Sequence, residues 1–387
     1  MLKLQDKSNC CGCYACYNIC PKHCITMKAD DEGFWYPNIN KADCINCNLC
    51  EKVCPIINKI ECTDNCTDNK RTAYAMINKN EQIRMKSSSG GIFTLVAEYI
   101  INNKGSVYGA VIDDNLDVKH IRIDKIQDIV LLRGSKYVQS QIGKTLNQVK
   151  KDLDNGEKVL FTGTPCQIQG LRTFLRKDYV NLILMDIVCH GVPSPLIWQK
   201  YISDLQKSYK QNLKEIYFRD KSTGWKHYSV KFKFDTSEYK CVGFNNTYMK
   251  GFLNDIYLRP SCYSCNFKGI RRISDITVAD FWGIENVLPK MDDDKGTSLV
   301  VIHSEKGKQV FDKLKDKIIL NEVNLNEAIK YNPSMITSVN YNKNREAFFA
   351  ELNDGADLLE LIQKYTKESF KQKIKNKIKS AVKKLIR

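Results

Sequence analysis

Nowhere in the 387 residues do eighteen apolar side chains follow one another, so the sequence predicts no membrane-crossing helix. Its N-terminus lacks the basic-then-apolar layout of a secretory signal, which makes the cytoplasm the expected compartment. No nucleic-acid-binding motif accompanies the formal charge of +16, despite aromatics such as Tyr228, Phe232 and Phe234 among lysines. Half of that excess sits in residues 367–387, with nine basic residues against one acidic. Nucleic acid is therefore not an expected partner. The apolar content, 43%, suits a globular chain long enough for two or three compact units.

What the sequence has in abundance is cysteine, seventeen in all. In a long chain without a signal these point to metal binding or redox chemistry rather than to a disulfide scaffold. Cys10, Cys13, Cys16, Cys20 and Pro21 recur as Cys44, Cys47, Cys50, Cys54 and Pro55, with identical spacing and an offset of thirty-four residues. Each CxxCxxC followed by a CysPro supplies three thiolates to one [4Fe-4S] cubane and the fourth to its neighbour. Cys10, Cys13, Cys16 and Cys54 are expected to hold one cluster, and Cys20, Cys44, Cys47 and Cys50 the second. Zinc is the competing reading, but its structural sites use paired CxxC or Cys/His arms rather than doubled triplets. Cys11 and Cys24 fall outside the spacing and read as small buried residues. Cys62 and Cys66 lack a third cysteine at Asn69, so no radical-enzyme arrangement is completed there.

A hairpin is expected between the two copies, over 25–27 and 34–36, and the Asn/Asp-rich residues 59–71 read as a linker. Beyond it, strands and helices alternate: strands at 73–77, 106–112, 158–163, 180–188, 228–234, 276–279 and 298–303, and helices at 91–101 and 307–314. Thr164 is the expected N-cap, and Pro165 the first residue, of a helix between two buried strands, a βαβ unit. The fold class is thus α+β/α/β, with a ferredoxin-like 2[4Fe-4S] domain over 1–60 and an α/β flavin-binding body whose regions run 71–150 and 151–320. Residues 321–387 are expected to be helical. Their end, from 366, reads as a basic amphipathic helix suited to peripheral contact with the inner membrane face or to partner docking.

Cys166 and Cys189 follow consecutive strands at their carboxyl ends, where open α/β sheets form their ligand crevice. Cys262 and Cys265 form a CxxC before another strand and offer two more thiolates. On spacing alone, a third [4Fe-4S] cluster competes with a lone reactive Cys166 beside a zinc-binding or redox-active CxxC. In "KSSSGGIFT", Lys86, Ser88, Ser89, Gly90, Gly91 and Thr94 lie where serines and glycines precede a helix, a place for a dinucleotide phosphate or merely an N-capped turn. Arg133, Gly134, Ser135, Lys136 and Tyr137 read as a second cofactor wall. His190 is the candidate proton donor, with local hydrogen bonding as its alternative role. Lys86, Lys136 and Asp280 are weighed against simple loop anchors.

Taken in order, "KSSSGGIFT", "FTGTPCQIQGLR", "DIVCHG", "RPSCYSCNF" and "SDITVADFWG" behind a dicluster segment resemble the coenzyme F420 hydrogenase/dehydrogenase beta-subunit family, as far as about Leu314. The resemblance implies a flavoprotein carrying FAD beside an iron-sulfur cluster, which exchanges electrons between one-electron clusters and a two-electron hydride donor or acceptor. It further implies that Cys166, Cys189, Cys262 and Cys265 are cluster ligands and that Ser89, Gly90, Gly91 and Thr94 form the FAD phosphate loop. Similar bacterial proteins occur among cell-surface polysaccharide biosynthesis functions. A redox partner protein or a small hydride carrier is the expected partner. The alternative is a flavin-free, non-enzymatic electron carrier whose body only docks the ferredoxin segment.

Overall fold

The computed structural model describes residues 6–61 and 71–367. Cys62, Cys66 and the predicted tail helix from residue 368 onward lie outside the described residues. Among the described residues no helix is long and apolar enough to cross a membrane.

The ferredoxin segment repeats in backbone as well as in sequence. Gly12 and Asn46, then Tyr14 and Asn48, all take left-handed conformations, with φ of 69°, 53°, 62° and 56°. Each pair turns the chain sharply and launches a short helix, Ala15–Ile19 in the first copy and Leu49–Lys52 in the second. Between the copies lies the expected hairpin, β1 (Ile25–Ala29) antiparallel to β2 (Trp35–Ile39).

The body is built on one eight-stranded mixed sheet. In chain order its strands are β3 (Thr72–Asn78), β4 (Ser106–Ile112), β5 (Val118–Ile123), β6 (Val159–Gly163) and β7 (Leu182–Ile187). Three further strands, β8 (Leu213–Asp220), β9 (Ser229–Phe234) and β10 (Glu238–Val242), form a separate antiparallel sheet. The chain then returns with β11 (Ile276–Asp280), β12 (Ser298–Ile302) and β13 (Ile318–Val323), giving the order β13-β3-β12-β11-β7-β6-β4-β5. Only the central run β11, β7, β6 and β4 is parallel. Strands from 71–150 and 151–320 thus share a single sheet, and β13 carries it past residue 320.

The central strands read as continuous apolar runs because both of their faces are covered. Val159, Phe161, Leu182 and Leu184 face the helices Thr145–Asp154 and Pro165–Leu175. Leu160, Ile183 and Met185 face the opposite side, against the helix Ile92–Asn102. The first of these cores also takes in Cys11, Cys13, Tyr14, Ala15 and Val53, so the ferredoxin segment is packed into the body rather than appended to it. Gly170 makes room for this approach: a Cβ there would lie 2.5 Å from the Cβ of Cys13. At the other side of the contact, the Arg345 guanidinium grips both carboxylate oxygens of Glu32.

Candidate functional site

The cysteines fall into three sets. Around Cys16 lie Cys10, Cys13 and Cys54, the crossed set that the spacing predicts. Cys20, Cys44, Cys47 and Cys50 line one gap, with Cys24 beside Cys20 at an Sγ–Sγ distance of 3.4 Å. Cys11 and Cys24 are both buried, as expected. A cubane spreads its thiolates around a volume rather than drawing them onto one point. Among the described residues no three His, Cys, Asp or Glu side chains meet closely enough to hold a single ion, and the four-thiol rings suit a multi-atom cluster instead.

The third set gathers where the two parallel strands end. Cys166 opens the helix Pro165–Leu175 directly after β6, with Thr164 and Gln167 closing a capping box. Cys189 follows β7, and Cys262 and Cys265 come from the loop before β11. All four are mutual neighbours. Burial pushes Cys262 up to about 12 and raises Cys189 and Cys265 as well. Cys166 goes the other way: the thiol of Cys11 hydrogen-bonds to it and holds it below the usual thiol range, against desolvation and with help from Thr164. Three buried thiols that resist ionisation in apolar surroundings, beside one that ionises readily, are a donor set that iron stabilises by replacing the protons. The Val192 N–H points at the Cys262 sulfur at 3.4 Å.

Cys189 and His190 also belong to the wall of a cavity of about 460 Å³, within the range of cofactor pockets. Ser88, Ser89 and Gly91 from the serine-glycine loop face it, as do Gly134, Ser135, Lys136 and Tyr137 from the second. Three of the predicted loop residues lie elsewhere. Lys86 is exposed at the end of the helix Glu81–Met85. The N–H of Gly90 is taken by Ser298 Oγ at 2.9 Å, and a Cβ there would strike the Met76 carbonyl at 2.4 Å, so this glycine serves strand packing. Thr94 is buried behind the wall and accepts a bond from Arg133 Nε at 3.0 Å.

The two loops are joined by the Ser135 N–H, which donates to Ser88 Oγ at 2.8 Å. Lys136 donates to the carbonyls of Leu131 and Arg133, and burial pushes its ammonium down to about 7. His190 Nε2 lies 2.6 Å from Asp255 Oδ1, and its Nδ1 is 3.5 Å from Ser334 Oγ.

Sequence reasoning missed three members of this site. Lys221, just past β8, spends its ammonium on the carbonyls of Arg84, Ser89 and Lys295 and so pins the serine loop. His120 lines the cavity with Nε2 on the Thr162 carbonyl at 3.0 Å, leaving a buried Nδ1 with no partner. Arg219 pairs with Asp280 at 2.8 Å and likewise keeps a buried Nε unpartnered. An orphaned acceptor and an orphaned donor in one cavity wall suit a polar, dinucleotide-like cofactor. Trp282, stacked on Trp225 at 4.8 Å, adds a flat aromatic surface.

A dicluster ferredoxin packed onto an α/β body with a sulfur-lined crevice defines an iron-sulfur electron-transfer protein of the oxidoreductase class. Within that class the chain belongs to the coenzyme F420 hydrogenase/dehydrogenase beta-subunit family: residues 156–328 match the model of that subunit's C terminus, and residues 9–56 match the 4Fe-4S dicluster domain. It is similar to the coenzyme F420-dependent sulfite reductase of Methanocaldococcus jannaschii, 24% identical over 332 residues, which are 83% of this chain and 48% of that protein. The chain therefore spans about half the length of this relative. A ferredoxin of the same organism is 36% identical over 52 residues, 13% of this chain and 66% of that one. Among solved structures, a chain in the xenon-derivatised F420-reducing [NiFe] hydrogenase complex of Methanosarcina barkeri aligns with a TM-score of 0.46 and 17% identity, over 76% of this chain and 90% of that one.

Proposed function

We propose that the chain is a flavin- and iron-sulfur-dependent oxidoreductase, in which Cys166, Cys189, Cys262 and Cys265 hold a third [4Fe-4S] cluster and the adjoining cavity holds FAD. The observation that carries this reading is contiguity: Cys189 belongs both to the third thiol set and to the cavity wall. FAD, when bound, supplies the exchange between an electron pair and single electrons. Arg133 and Lys136 give positive charge for a phosphate group, with Ser88, Ser89 and Ser135 offering hydroxyls. His120 accepts a hydrogen bond at Nδ1, and Arg219 donates one at Nε. His190, steadied by Asp255, is the group placed to move a proton at Nδ1. The F420 dependence of the sulfite reductase relative makes F420 the first hydride donor to try, with NADH and NADPH beside it.

Anaerobic purification followed by iron, acid-labile sulfide and flavin quantitation on one sample tests the proposal. About twelve irons and one FAD per chain are expected. Cys262→Ala should lower iron to about eight while the ferredoxin-type signal persists. About eight irons and no flavin in the wild type would instead identify a ferredoxin fused to a docking body.

A further inference from the structure

Arg259 is wholly buried, with 0% of its surface exposed. It belongs to the body, three residues before Cys262, yet its guanidinium reaches into the ferredoxin segment. Nε donates to the Cys10 carbonyl at 2.7 Å, Nη2 to the Trp35 carbonyl at 3.0 Å, and Nη1 to Gln139 Oε1 at 3.1 Å. The guanidinium lies 4.3 Å from the centre of the Tyr36 ring. Gly12 leaves the space it occupies, since a Cβ there would come within 3.0 Å of Nη1 at a φ of +69°. Among the described residues no carboxylate pairs with this cation, whereas the other large buried arginines, Arg219, Arg272 and Arg345, each have one. A guanidinium taken out of water without a counter-charge is costly, and such groups are retained where something compensates. The ionisable groups around it are thiols of both flanking sets, Cys10 on one side and Cys166 and Cys262 on the other, with Cys11 between.

We infer that Arg259 is the shared counter-cation of the Cys10/Cys13/Cys16/Cys54 site and the Cys166/Cys189/Cys262/Cys265 site, and that it raises the reduction potential of both. For the second site the inference rests on the proposed third cluster. Each one-electron reduction adds a unit of negative charge to a cysteine-bound centre, and a fixed cation at close range in a dry interior favours the reduced form. One side chain thereby keeps two neighbouring centres poised together and ties their electrostatics to the docking of the two domains.

The test is a redox titration of the anaerobically purified full chain, followed by electron paramagnetic resonance. Arg259→Gln, which removes the charge, should lower the reduced-to-oxidised ratio at fixed potential by about tenfold or more, a midpoint drop of about 59 mV for a one-electron couple. Arg259→Lys, which keeps the charge, should stay near the wild type. Gln139→Glu, which neutralises the guanidinium in place, should reproduce the drop even if Arg259→Gln fails to assemble. Glu32→Gln, which breaks the other buried charge contact across the same interface, should leave the midpoint where it is. An unmoved midpoint in Arg259→Gln or Gln139→Glu with full iron overturns the inference, as does an equal drop in Arg259→Lys or Glu32→Gln. Should the wild type hold only about eight irons, the third-cluster reading fails, while the N-terminal signal still decides the role of Arg259.

Discussion

Lys221 holds three carbonyls that no other side chain reaches, two of them more than 130 residues away in the chain. Lys221→Met would leave those acceptors without donors, at a cost of about 1–3 kcal/mol for a buried unsatisfied group. The expected outcome is a lower thermal midpoint together with loss of flavin on gel filtration; a variant that keeps both would show that the loop holds itself. Two buried histidines make a second prediction. Burial pushes His120 down to about 4 and His303 to about 3. Below the ordinary histidine value of about 6.5 the unfolded chain therefore binds more protons than the folded one. Stability should fall as pH drops from about 6.5 toward 4, by at most about 1.4 kcal/mol per pH unit for each ring. Thermal midpoints from pH 7.5 to 5.5, compared between wild type and His303→Asn, check this through a shallower slope in the variant. The cysteines were legible in the sequence because their chemistry lies in local spacing. Lys221, His120, Arg219 and Arg259 were not, since each acts on partners that only the fold brings near.

At the scale of elements, the helix Pro165–Leu175 shows how much a short motif determines. Its N-cap, its first-turn proline and the buried strands on either side were all readable from local pattern, and they place Cys166 at the sheet's carboxyl edge. The small residue midway along it, Gly170, carried no such signal, because its reason lies in another segment. Gly170→Val should drive Cys13 away, lower iron by about four per chain and cost about 1–3 kcal/mol by overpacking. Iron analysis beside a melting curve checks it, and unchanged iron would mean that the segment can shift without losing its ligands. The strands that sequence reading missed, β5, β8, β10 and β13, share a cause. All four lie at sheet edges or in the small sheet, where one face or one side is solvated and the apolar alternation is diluted by Lys, Arg and Glu.

For the molecule as a whole, the decisive feature is that the ferredoxin segment completes the body's core. Tyr14, Ala15 and Val53 cover Ile168 and Leu171, and each of the three is almost fully buried. Residues 71–387 expressed alone should therefore expose an apolar face and aggregate, whereas the full chain stays monodisperse; a soluble, folded 71–387 fragment in size-exclusion chromatography would contradict this. Asn18 and Asn147 stitch the same contact with hydrogen bonds at 3.0 Å and 3.2 Å.

A shared core also decides which step of electron delivery feels the solvent. Because the two thiol-bearing domains are packed against each other through Cys11, Cys13 and Gly170, traffic between them runs at fixed separation, like current in a soldered joint. Its rate should be indifferent to viscosity and to added salt. Whatever sensitivity the protein shows to either must then arise at the outer surface, where Cys47 stands exposed beside Ile45 and a visiting carrier has to find its seat.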